Sequence, residues 1–368
     1  MTADLIEATY IATRPDRPAD VLAEAVAREQ SLEILPELIP GHIAERLLGR
    51  VLEVERVDET RWAMRIGYPE LLASKQMGQL LQLLYGNVSF YPRIRLTALS
   101  LPRSLLDELP GPLGGIARIR EITGVEGRAM LITVLKPRGS SPEHLADLAL
   151  RFARGGGDLL KDDQNLVEAD IQSFTKRITS CAQAIEKASE KTGRNCLYLP
   201  HAAGSGDHLR RQLEAVARAG LHGVVLCPWV MGLESAATTA REFGLMWLAH
   251  PAMAGSLTEP DDHGVSTDVL LGTLVRAAGA DISIFPGSGG RISSSHDDEG
   301  RTCRALTEPL GTLPATLPCT GGGKRLDQVA AAGRRLGPDF AVLVGGDLLR
   351  RGDALESSTR DAITELAG

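Results

Sequence analysis

The sequence has no long apolar run and no clustered basic segment. None of its apolar stretches approaches the 18 residues of a membrane span, and the start, MTADLIEATYIATRPDRP, lacks a signal-peptide pattern. Lysine and arginine are scattered, aromatic residues make up only 4% of the chain, and the formal net charge is −7. These features predict a cytoplasmic protein that binds neither membrane nor nucleic acid.

Closely spaced cysteine pairs are also missing among the five cysteines. Cys196, Cys227 and Cys319 lie in apolar runs, so we expect buried free thiols rather than disulfides or metal ligands. With so few aromatic residues, the core must consist of Leu, Ile, Val and Ala. The 39 glycines indicate many tight turns.

The first part of the chain mixes strand and helix patterns. LIEATYIATR, RVLEVERVD, RWAMRIGYP and RIRLTALSLP alternate as strands do, whereas DVLAEAVAREQS has helical spacing. ELLASKQMGQLLQLLYGN reads as one amphipathic helix ending at Gly86. Strands grouped around helices predict an α+β N-terminal domain over residues 1–115.

From residue 116 to 368 a different pattern repeats. A short apolar strand, a polar or glycine-rich tip and a helix follow one another eight times, from AMLITVLKP to FAVLVGGD. Eight such units predict a C-terminal (β/α)8 TIM barrel of the α/β class. A doubly wound open sheet is the alternative architecture. The helix of the sixth unit, near residues 300–310, has the weakest pattern.

Ionisable side chains follow several of these strands, above all in GGGDLLKDDQNL. Active sites of (β/α)8 barrels lie at the C-terminal ends of the strands, so KDD would reach the mouth. Solvated charges or a structural Lys–Asp ion pair are two ordinary alternatives. The functional interpretation is a hard-cation site with an acid or base beside it. Other candidates at strand ends are Thr133, Lys136, Arg138, His201 and His250, although His250 could also be a core histidine.

Glycine-rich tips follow the seventh and eighth strands. TGGG contains Gly321 and Gly322, and VGGD contains Gly345 and Gly346. Each segment alone could be a plain turn. Together they favour a phosphate site, because these two loops bind phosphate in many such barrels and glycine lets backbone N–H groups approach an anion.

The whole chain resembles the large chain of ribulose-bisphosphate carboxylase (RuBisCO), and more closely the non-carboxylating form IV RuBisCO-like proteins. ITVLKP is similar to the family motif of the first barrel strand, and GGGDLLKDDQN to the more specific motif of the second. The resemblance implies an α+β domain followed by a barrel. It also implies Mg2+-assisted enolisation of a sugar phosphate.

Residue roles follow from the resemblance alone. Lys161 matches the lysine that takes up CO2 as a carbamate, and Asp163 matches a magnesium ligand. Glu29 in EQS and Asn87 in YGN match two segments lent to a neighbouring subunit, which implies a homodimer; no small subunit is expected. Thr133 and Lys136 match the functional residues of the first strand, and His250 matches the histidine of the family. The residues that match the phosphate loops are Thr320, Gly321, Gly322, Gly345 and Gly346.

The chain also departs from the family pattern. Gln164 stands where the family has a third, anionic metal ligand, so one negative charge is lost. Arg138 and Arg291 stand where carboxylases have lysines, and the two cations are not interchangeable. Pro251 and Ile284 replace residues that hold a second phosphate. We therefore expect a substrate with one phosphate and no CO2 fixation.

Asn87 stands where the enolase branch of methionine salvage has a lysine, which argues against that enolase. We expect an isomerase that acts on a substrate of the 5-methylthioribulose-1-phosphate type, with Lys136 and His250 as acid–base groups and His201 behind them. A decarboxylase of a phosphorylated branched oxo-sugar acid is one alternative. The other is a metal-free barrel that binds a phosphorylated metabolite without turnover, which Gln164 supports.

Overall fold

The computed structural model describes residues 4–368, so the first three residues of the expected N-terminal domain lie outside it. A five-stranded sheet dominates the N-terminal part, and its central strand pairs antiparallel with a neighbour on each side. Alternate side chains of that strand are buried, as the sequence pattern predicts. The strands are β1 (Leu5–Thr13), β2 (Arg50–Arg56), β3 (Arg61–Pro69) and β4 (Ile94–Ser100).

Helices lie between and after these strands in the chain. The single helix expected over residues 70–87 is wrong: a 3-10 turn, Glu70–Ala73, precedes a separate helix, because Ser74 and Lys75 adopt left-handed backbone angles. The sequence analysis also did not predict the short helices Gly41–Leu47, Arg103–Leu106 and Gly115–Thr123. The helices are α1 (Ala19–Ser31), α2 (Gly41–Leu47), α3 (Met77–Tyr85), α4 (Arg103–Leu106) and α5 (Gly115–Thr123), with 3-10 turns at Pro36–Leu38 and Asn87–Phe90.

Eight parallel strands form the second sheet, in an order that begins with the strand Leu197–Leu199 and ends with the strand Gly223–Leu226. The first and last strands of that order meet through a bridge between His201 and Val225, and the Val225 N–H donates to the Pro200 carbonyl at 2.8 Å. The sheet is therefore a closed barrel and not an open sheet. Its strands are β5 (Met130–Leu135), β6 (Leu159–Asp162), β7 (Leu197–Leu199), β8 (Gly223–Leu226), β9 (Met246–Ala249), β11 (Ile282–Pro286), β12 (Leu317–Gly321) and β13 (Ala341–Leu343).

Helices surround the barrel. The weakly patterned sixth helix is a regular one that begins at Ser295, whose hydroxyl accepts from the Asp298 N–H at 3.0 Å. The helices are α6 (Pro142–Arg154), α7 (Ile171–Thr192), α8 (Gly206–Arg218), α9 (Pro228–Met231), α10 (Leu233–Glu242), α11 (Gly255–Thr258), α12 (Val275–Ala278), α13 (His296–Thr307), α14 (Val329–Leu336), α15 (Gly346–Leu349) and α16 (Leu355–Ala367); a π-helix, Asp268–Leu274, and 3-10 turns at Leu326–Gln328 and Gly352–Ala354 complete them. Within residues 4–368, no helix is both long enough and apolar enough to cross a membrane.

One strand of the N-terminal sheet comes from the barrel part. The strand β10 (Gly264–Val265) leaves the connection after β9 and pairs parallel with β4. Arg95 on β4 donates to the carbonyls of Thr258 and His263, each at 2.9 Å. The segment that follows His250 is therefore attached to the N-terminal sheet, which the sequence did not predict.

A short helix closes the bottom of the barrel. Ile116 and Ile119 of α5 belong to the apolar cluster inside the barrel, together with residues of all eight strands. The buried carboxylate of Asp281 accepts from the N–H groups of Gly114 at 2.9 Å and Gly115 at 2.8 Å, at the start of that helix. The N-terminal end of the barrel is thus filled, and the opposite end carries the polar side chains.

This plug generates a stability prediction. Ile119 is fully buried, so Ile119→Ala leaves a cavity and should lower the free energy of unfolding by about 2–5 kcal/mol. The measurement is denaturant unfolding followed by circular dichroism. Ile34→Ala, at a position with 43% exposure, is the matched control and should change little. Equal effects of the two substitutions would contradict the assignment of α5 as a plug.

Candidate active site

Along the strands that supply the site, the polar side chain at the barrel mouth comes two positions after an apolar residue that points into the barrel. Leu159, Leu199, Val225 and Leu248 lie in the cluster inside the barrel. Because side chains alternate along a strand, the residue two positions further on points to the same side. The residues in that phase at the mouth are Lys136, Lys161, Asp163, His201, Cys227 and His250.

Lys161 lies at the bottom of this ring and is 3% exposed. Its Nζ donates to the backbone carbonyl of Asp162 at 2.7 Å. Burial lowers the pKa of Lys161 to about 8, and the charge of Asp163 opposes that shift. A share of neutral amine is therefore present near neutral pH, and only a neutral amine is a nucleophile.

Asp163 is the carboxylate nearest to the two lysines of the ring. Its Oδ2 lies 3.6 Å from the Nζ of Lys136, and its Oδ1 accepts from the Asn165 N–H at 2.9 Å. Gly345, two residues beyond the end of the last strand, lies alongside, where a Cβ would be 3.8 Å from that Nζ. The next residue, Gln164, is half-buried. The structure thus brings Lys136, Lys161 and Asp163 together.

Two histidines and a cysteine form the other half of the ring. Burial lowers the pKa of His201 to about 3, and burial also lowers the pKa of His250 well below its usual value, so both imidazoles are neutral. The Nδ1 of His250 accepts from the Ala252 N–H at 3.2 Å. The Nε2 of His201 lies 3.6 Å from the Sγ of Cys227.

Cys227 corrects an expectation. Cys196 and Cys319 are buried free thiols, as predicted, but Cys227 is only half-buried and lies at the mouth. The apolar run GVVLC suggested a core residue, yet the thiol is two positions beyond the interior Val225. Because side chains alternate along a strand, applying that alternation from Val225 of β8 would have predicted that Cys227 faces the mouth.

A buried ion-pair network lies behind the ring. Asp162 points away from the barrel interior, where it pairs with Arg177 of α7 and accepts from the Tyr198 hydroxyl at 2.9 Å and from the His201 N–H at 2.9 Å. Arg177 also donates to Glu168, in the connection after β6, at 2.6 Å. The Arg177–Asp162 pair therefore joins the end of β6, the start of the His201 segment and the connection that carries Gln164.

Two predicted substrate residues point the other way. Thr133 follows the interior residue Ile132 by one position, and its hydroxyl donates to the Val344 carbonyl at 2.7 Å. Thr320 follows the interior Cys319 by one position and packs beside Gly287. Strand alternation therefore turns both hydroxyls away from the mouth, and Val134 rather than Thr133 faces it.

The glycine tips meet the loop after β11. Gly322 and Gly323 have positive φ angles of 95° and 93°, and the Ile292 N–H donates to the Gly322 carbonyl at 2.9 Å. A cavity of about 630 Å³ lies between these loops and the start of α15. Five cationic side chains and two carboxylates line it, together with Gly323 and Gly346: Arg291, Lys324, Arg325, Arg350, Arg351, Asp327 and Asp347.

A buried carboxylate anchors the same loops. Glu299 of α13 is fully buried and accepts from the Ser288 N–H at 3.1 Å and the Ser288 hydroxyl at 2.7 Å. It also pairs with Arg335 and lies 3.6 Å from the Nζ of Lys324. The sequence analysis missed this anchor, because Glu299 belongs to the weakly patterned sixth helix.

The remaining predicted residues lie apart from the ring. Arg138 is exposed at the end of the segment after β5. Glu29 and Asn87 lie in the N-terminal part, where the Asn87 amide donates to Glu29 at 3.0 Å. The neighbouring Gln30 binds the same loop, accepting from the Val88 N–H at 2.8 Å. The structure brings Glu29 and Asn87 to each other.

The donor set limits what metal the mouth can hold. Across residues 4–368, no three His, Cys, Asp or Glu side chains gather as a metal site. Asp163 and the Gln164 amide together would offer a metal ion one charged and one neutral oxygen. The set fits Mg2+ once Lys161 carries a carbamate, because that adds a second anionic oxygen beside Asp163.

Comparison with known proteins defines the class of the chain. The profile of the ribulose bisphosphate carboxylase large chain catalytic domain matches residues 115–351. The crystal structure of a RuBisCO-like protein from Rhodopseudomonas palustris superimposes with a TM-score of 0.89 at 34% identity, covering 100% of this chain and 98% of that one. The chain therefore belongs to the family of the RuBisCO large chain, as the sequence motifs indicated.

Within that family, the chain is similar to a carboxylase-like protein and to two proteins that are named as enzymes. Ribulose bisphosphate carboxylase-like protein 1 of Rhodopseudomonas palustris is 37% identical over 95% of each chain. A 5-methylthioribulose-1-phosphate isomerase of Rhodospirillum rubrum is 34% identical over 99% of this chain and 97% of its own. A 2,3-diketo-5-methylthiopentyl-1-phosphate enolase of Bacillus licheniformis is 33% identical over 78% and 73%. This chain is a RuBisCO-like enzyme.

The network behind the ring generates a second prediction. Arg177→Met leaves Asp162 and Glu168 without their cation, so we expect a loss of about 3–5 kcal/mol in the free energy of unfolding. Denaturant unfolding measures it. Removing the buried acid as well, in Asp162→Leu with Arg177→Met, should recover part of the loss.

Arg218→Met is the matched control. Arg218 pairs with Glu214 on the exposed face of α8, where the two side chains are 71% and 49% exposed. Such a pair contributes little, so the unfolding midpoint should stay where it is. If Arg177→Met were as mild as Arg218→Met, the buried network would not hold the strand ends in place.

Proposed function

We propose that this enzyme enolises a ketose that carries one phosphate, with isomerisation as the outcome. The observation that carries the proposal is the ring itself: two lysines, a carboxylate and two neutral histidines converge at the mouth of one barrel. Enolisation needs a base for a C–H proton and stabilisation of the oxygen that becomes negative. The ring contains groups for both tasks.

The phosphate is proposed to bind between the loops after β11, β12 and β13. The cavity there is rich in arginine and lysine, and Gly323 and Gly346 expose backbone at its edge. Arg291 is the residue of the first of these loops that reaches it. At the place where carboxylases hold a second phosphate, Pro251 and Ile284 offer no cation. This supports a substrate with a single phosphate and argues against CO2 fixation.

Lys136 and His250 are the proposed acid–base groups. The Nζ of Lys136 is near the carboxylate of Asp163 and partly open to the mouth, at 39% exposure of its side chain. His250 is neutral because burial lowers its pKa, and its Nδ1 accepts from the Ala252 N–H. The ring proton therefore lies on Nε2, which can donate a hydrogen bond or that proton to the substrate. His201, the second histidine of the ring, is buried at 4% exposure.

We propose that Lys161, as a carbamate, holds Mg2+ together with Asp163 and the amide of Gln164. When bound, the metal ion would polarise the substrate's carbonyl and hydroxyl oxygens. Lys161 suits carbamate formation, because burial lowers its pKa to about 8 and leaves neutral amine for CO2. Arg177 supports the arrangement indirectly by holding Asp162, between the two anionic ligands, on the outer side of the strand.

A homodimer with shared sites is part of the proposal. In residues 4–368 the hydrogen bonds of the Asn87 side chain lead to Glu29, and both belong to the N-terminal part. A role for these two residues at a barrel mouth would therefore need a neighbouring copy. The alternative of a metal-free binding barrel draws on Gln164 and on the single carboxylate at the mouth. Decarboxylation of a phosphorylated oxo-sugar acid would use the same enolate chemistry.

Proton exchange tests the proposal. In D2O, with Mg2+ and bicarbonate, the protein should exchange a carbon-bound proton of 5-methylthioribulose-1-phosphate and form an isomer, both followed by NMR. Labelled bicarbonate should not enter ribulose bisphosphate above a no-enzyme control. Lys136→Met should reduce exchange by roughly 100-fold or more, the usual size of a lost acid–base group.

Lys187→Met is the matched control for Lys136→Met, since Lys187 is an exposed lysine on α7 and belongs to no part of the proposed site. Exchange of no proton in any ketose phosphate, by a protein that still binds the substrate, would favour the metal-free binding barrel. Release of CO2 from an oxo-sugar acid phosphate, without isomerisation, would favour the decarboxylase.

Metal affinity provides a separate prediction. Gln164→Glu adds a third anionic oxygen, so Mg2+ binding at fixed bicarbonate should tighten by roughly 5- to 150-fold, equivalent to about 1–3 kcal/mol. Lys161→Ala should abolish the bicarbonate-dependent part of binding. Isothermal calorimetry measures both.

Asn165→Asp is the control, because it adds a charge next to Gln164 at an exposed position. An unchanged dissociation constant in both Gln164→Glu and Lys161→Ala would mean that the KDDQ cluster holds no metal ion. Activity need not follow affinity, since a more negative site withdraws less electron density from the substrate.

A further inference from the structure

The thiol of Cys227 is the part of the ring to which neither the motifs nor the proposed roles give a task. It lies at the end of β8, between His201 of the preceding strand and His250 of the next. It is half-buried, whereas Lys161 and His201 are 3% and 4% exposed. A ligand that enters the mouth therefore reaches the sulfur before it reaches the imidazole of His201.

His201 presents one of its nitrogens to this sulfur and leaves the other unpaired. Its Nε2 is 3.6 Å from the Sγ, and its buried Nδ1 has no hydrogen-bond partner among the residues that the structure describes. A buried N–H without an acceptor costs more than a buried lone pair. We therefore assign the proton to Nε2, which donates to the sulfur.

This tautomer determines the direction of the S–H bond. Because the sulfur accepts from His201, the thiol proton is free to point into the mouth. Burial raises the pKa of Cys227 to about 11, so the thiol keeps its proton at neutral pH. A proton donor at one side of the ring thus faces Lys136 and Asp163 at the other.

We propose that Cys227 is a further catalytic residue, whose thiol delivers the proton that completes the isomerisation, with His201 as its positioning residue. The inference rests on the proposed enolising function and assigns its second half-reaction. An isomerase must return a proton to the carbon next to the one that lost it. A second donor, separate from the base, serves that purpose when the two carbons face different groups.

The step balances without any added oxidant or reductant. A base of the ring removes a proton from one carbon, and the electron pair forms the enediolate double bond. The S–H bond of Cys227 then breaks as a C–H bond forms at the neighbouring carbon. The hydroxyl oxygen on the first carbon becomes the carbonyl oxygen, and its proton passes to the oxygen of the neighbouring carbon, which becomes the new hydroxyl. The resulting thiolate accepts the hydrogen bond from His201 Nε2 and regains a proton from solvent, while the base releases its own.

The test separates the two half-reactions in Cys227→Ala. With 5-methylthioribulose-1-phosphate in D2O, NMR follows deuterium entry at the first carbon and formation of the isomer. We expect exchange at the wild-type rate and isomer formation reduced by roughly 100- to 10,000-fold, the usual contribution of a general acid. Cys303→Ala, at a half-buried cysteine on α13, is the control and should change neither rate.

Cys227→Ser supplies a readout that a merely structural role would not move. Thiol hydrogens discriminate against deuterium in the ground state, so a thiol donor gives an inverse contribution to the solvent isotope effect. The wild type should show that contribution in isomer formation, and Cys227→Ser should lose it while keeping part of the rate. The isotope effect of the wild type remains informative even if Cys227→Ala does not fold.

Three results would overturn the proposal. Isomer formation unaffected by Cys227→Ala, a parallel loss of exchange and isomer formation, or the same isotope effect in wild type and Cys227→Ser would each exclude the thiol as donor. Failure of the wild type to exchange a proton in any ketose phosphate is a different result. It would refute the enolising function itself, and the role of Cys227 with it.

Discussion

Closure of the parallel sheet is the constraint on which the site depends. The bridge between His201 and Val225 joins the two ends of the sheet and so encloses an interior. Once an interior exists, every second residue of each strand points into it, and the last such residue of each strand reaches the mouth. Six polar side chains from five strands meet there for that reason, although they are spread over more than a hundred positions of the chain.

The second determinant is the cost of burying a lysine. Lys161 has one carboxylate beside it, and its amine loses hydration at the bottom of the ring. That cost makes the neutral form accessible near neutral pH, and a neutral amine can become an anionic ligand by addition of CO2. The buried pair of Asp162 and Arg177 lies immediately behind it. Burial alone would lower the pKa of Arg177, but the Asp162 charge outweighs it and the pKa is raised, so the pair is ionised.

Much of the fold could be predicted because the patterns that define its strands and helices lie within short stretches of the sequence. Short apolar strands, which span three to six residues in the structure, each followed by a helical period, predicted all eight barrel units. The predictions that were wrong concern local angles and distant partners. Ser74 and Lys75 break a helix whose apolar spacing looked continuous, and β10 joins a sheet formed by residues far earlier in the chain. Neither feature leaves a periodic signal.

At the site, the positions of the strand ends were predictable from the sequence, but the side to which each side chain points was not. The sequence by itself determined that Lys136, Lys161, Asp163, His201 and His250 follow barrel strands, since composition changes from apolar to polar at each of those points. The side to which a residue points depends on the phase of its strand, which for Thr133 and Thr320 is opposite to that of the ring.

Tertiary structure alone decided the contacts between strands. The approach of Cys227 to His201, and of Arg177 to both Asp162 and Glu168, joins residues that are 26, 15 and 9 positions apart. Such contacts depend on the register of neighbouring strands and on the helix that packs over them. Short-range periodicity holds no information on either, because register is set by closure of the whole barrel.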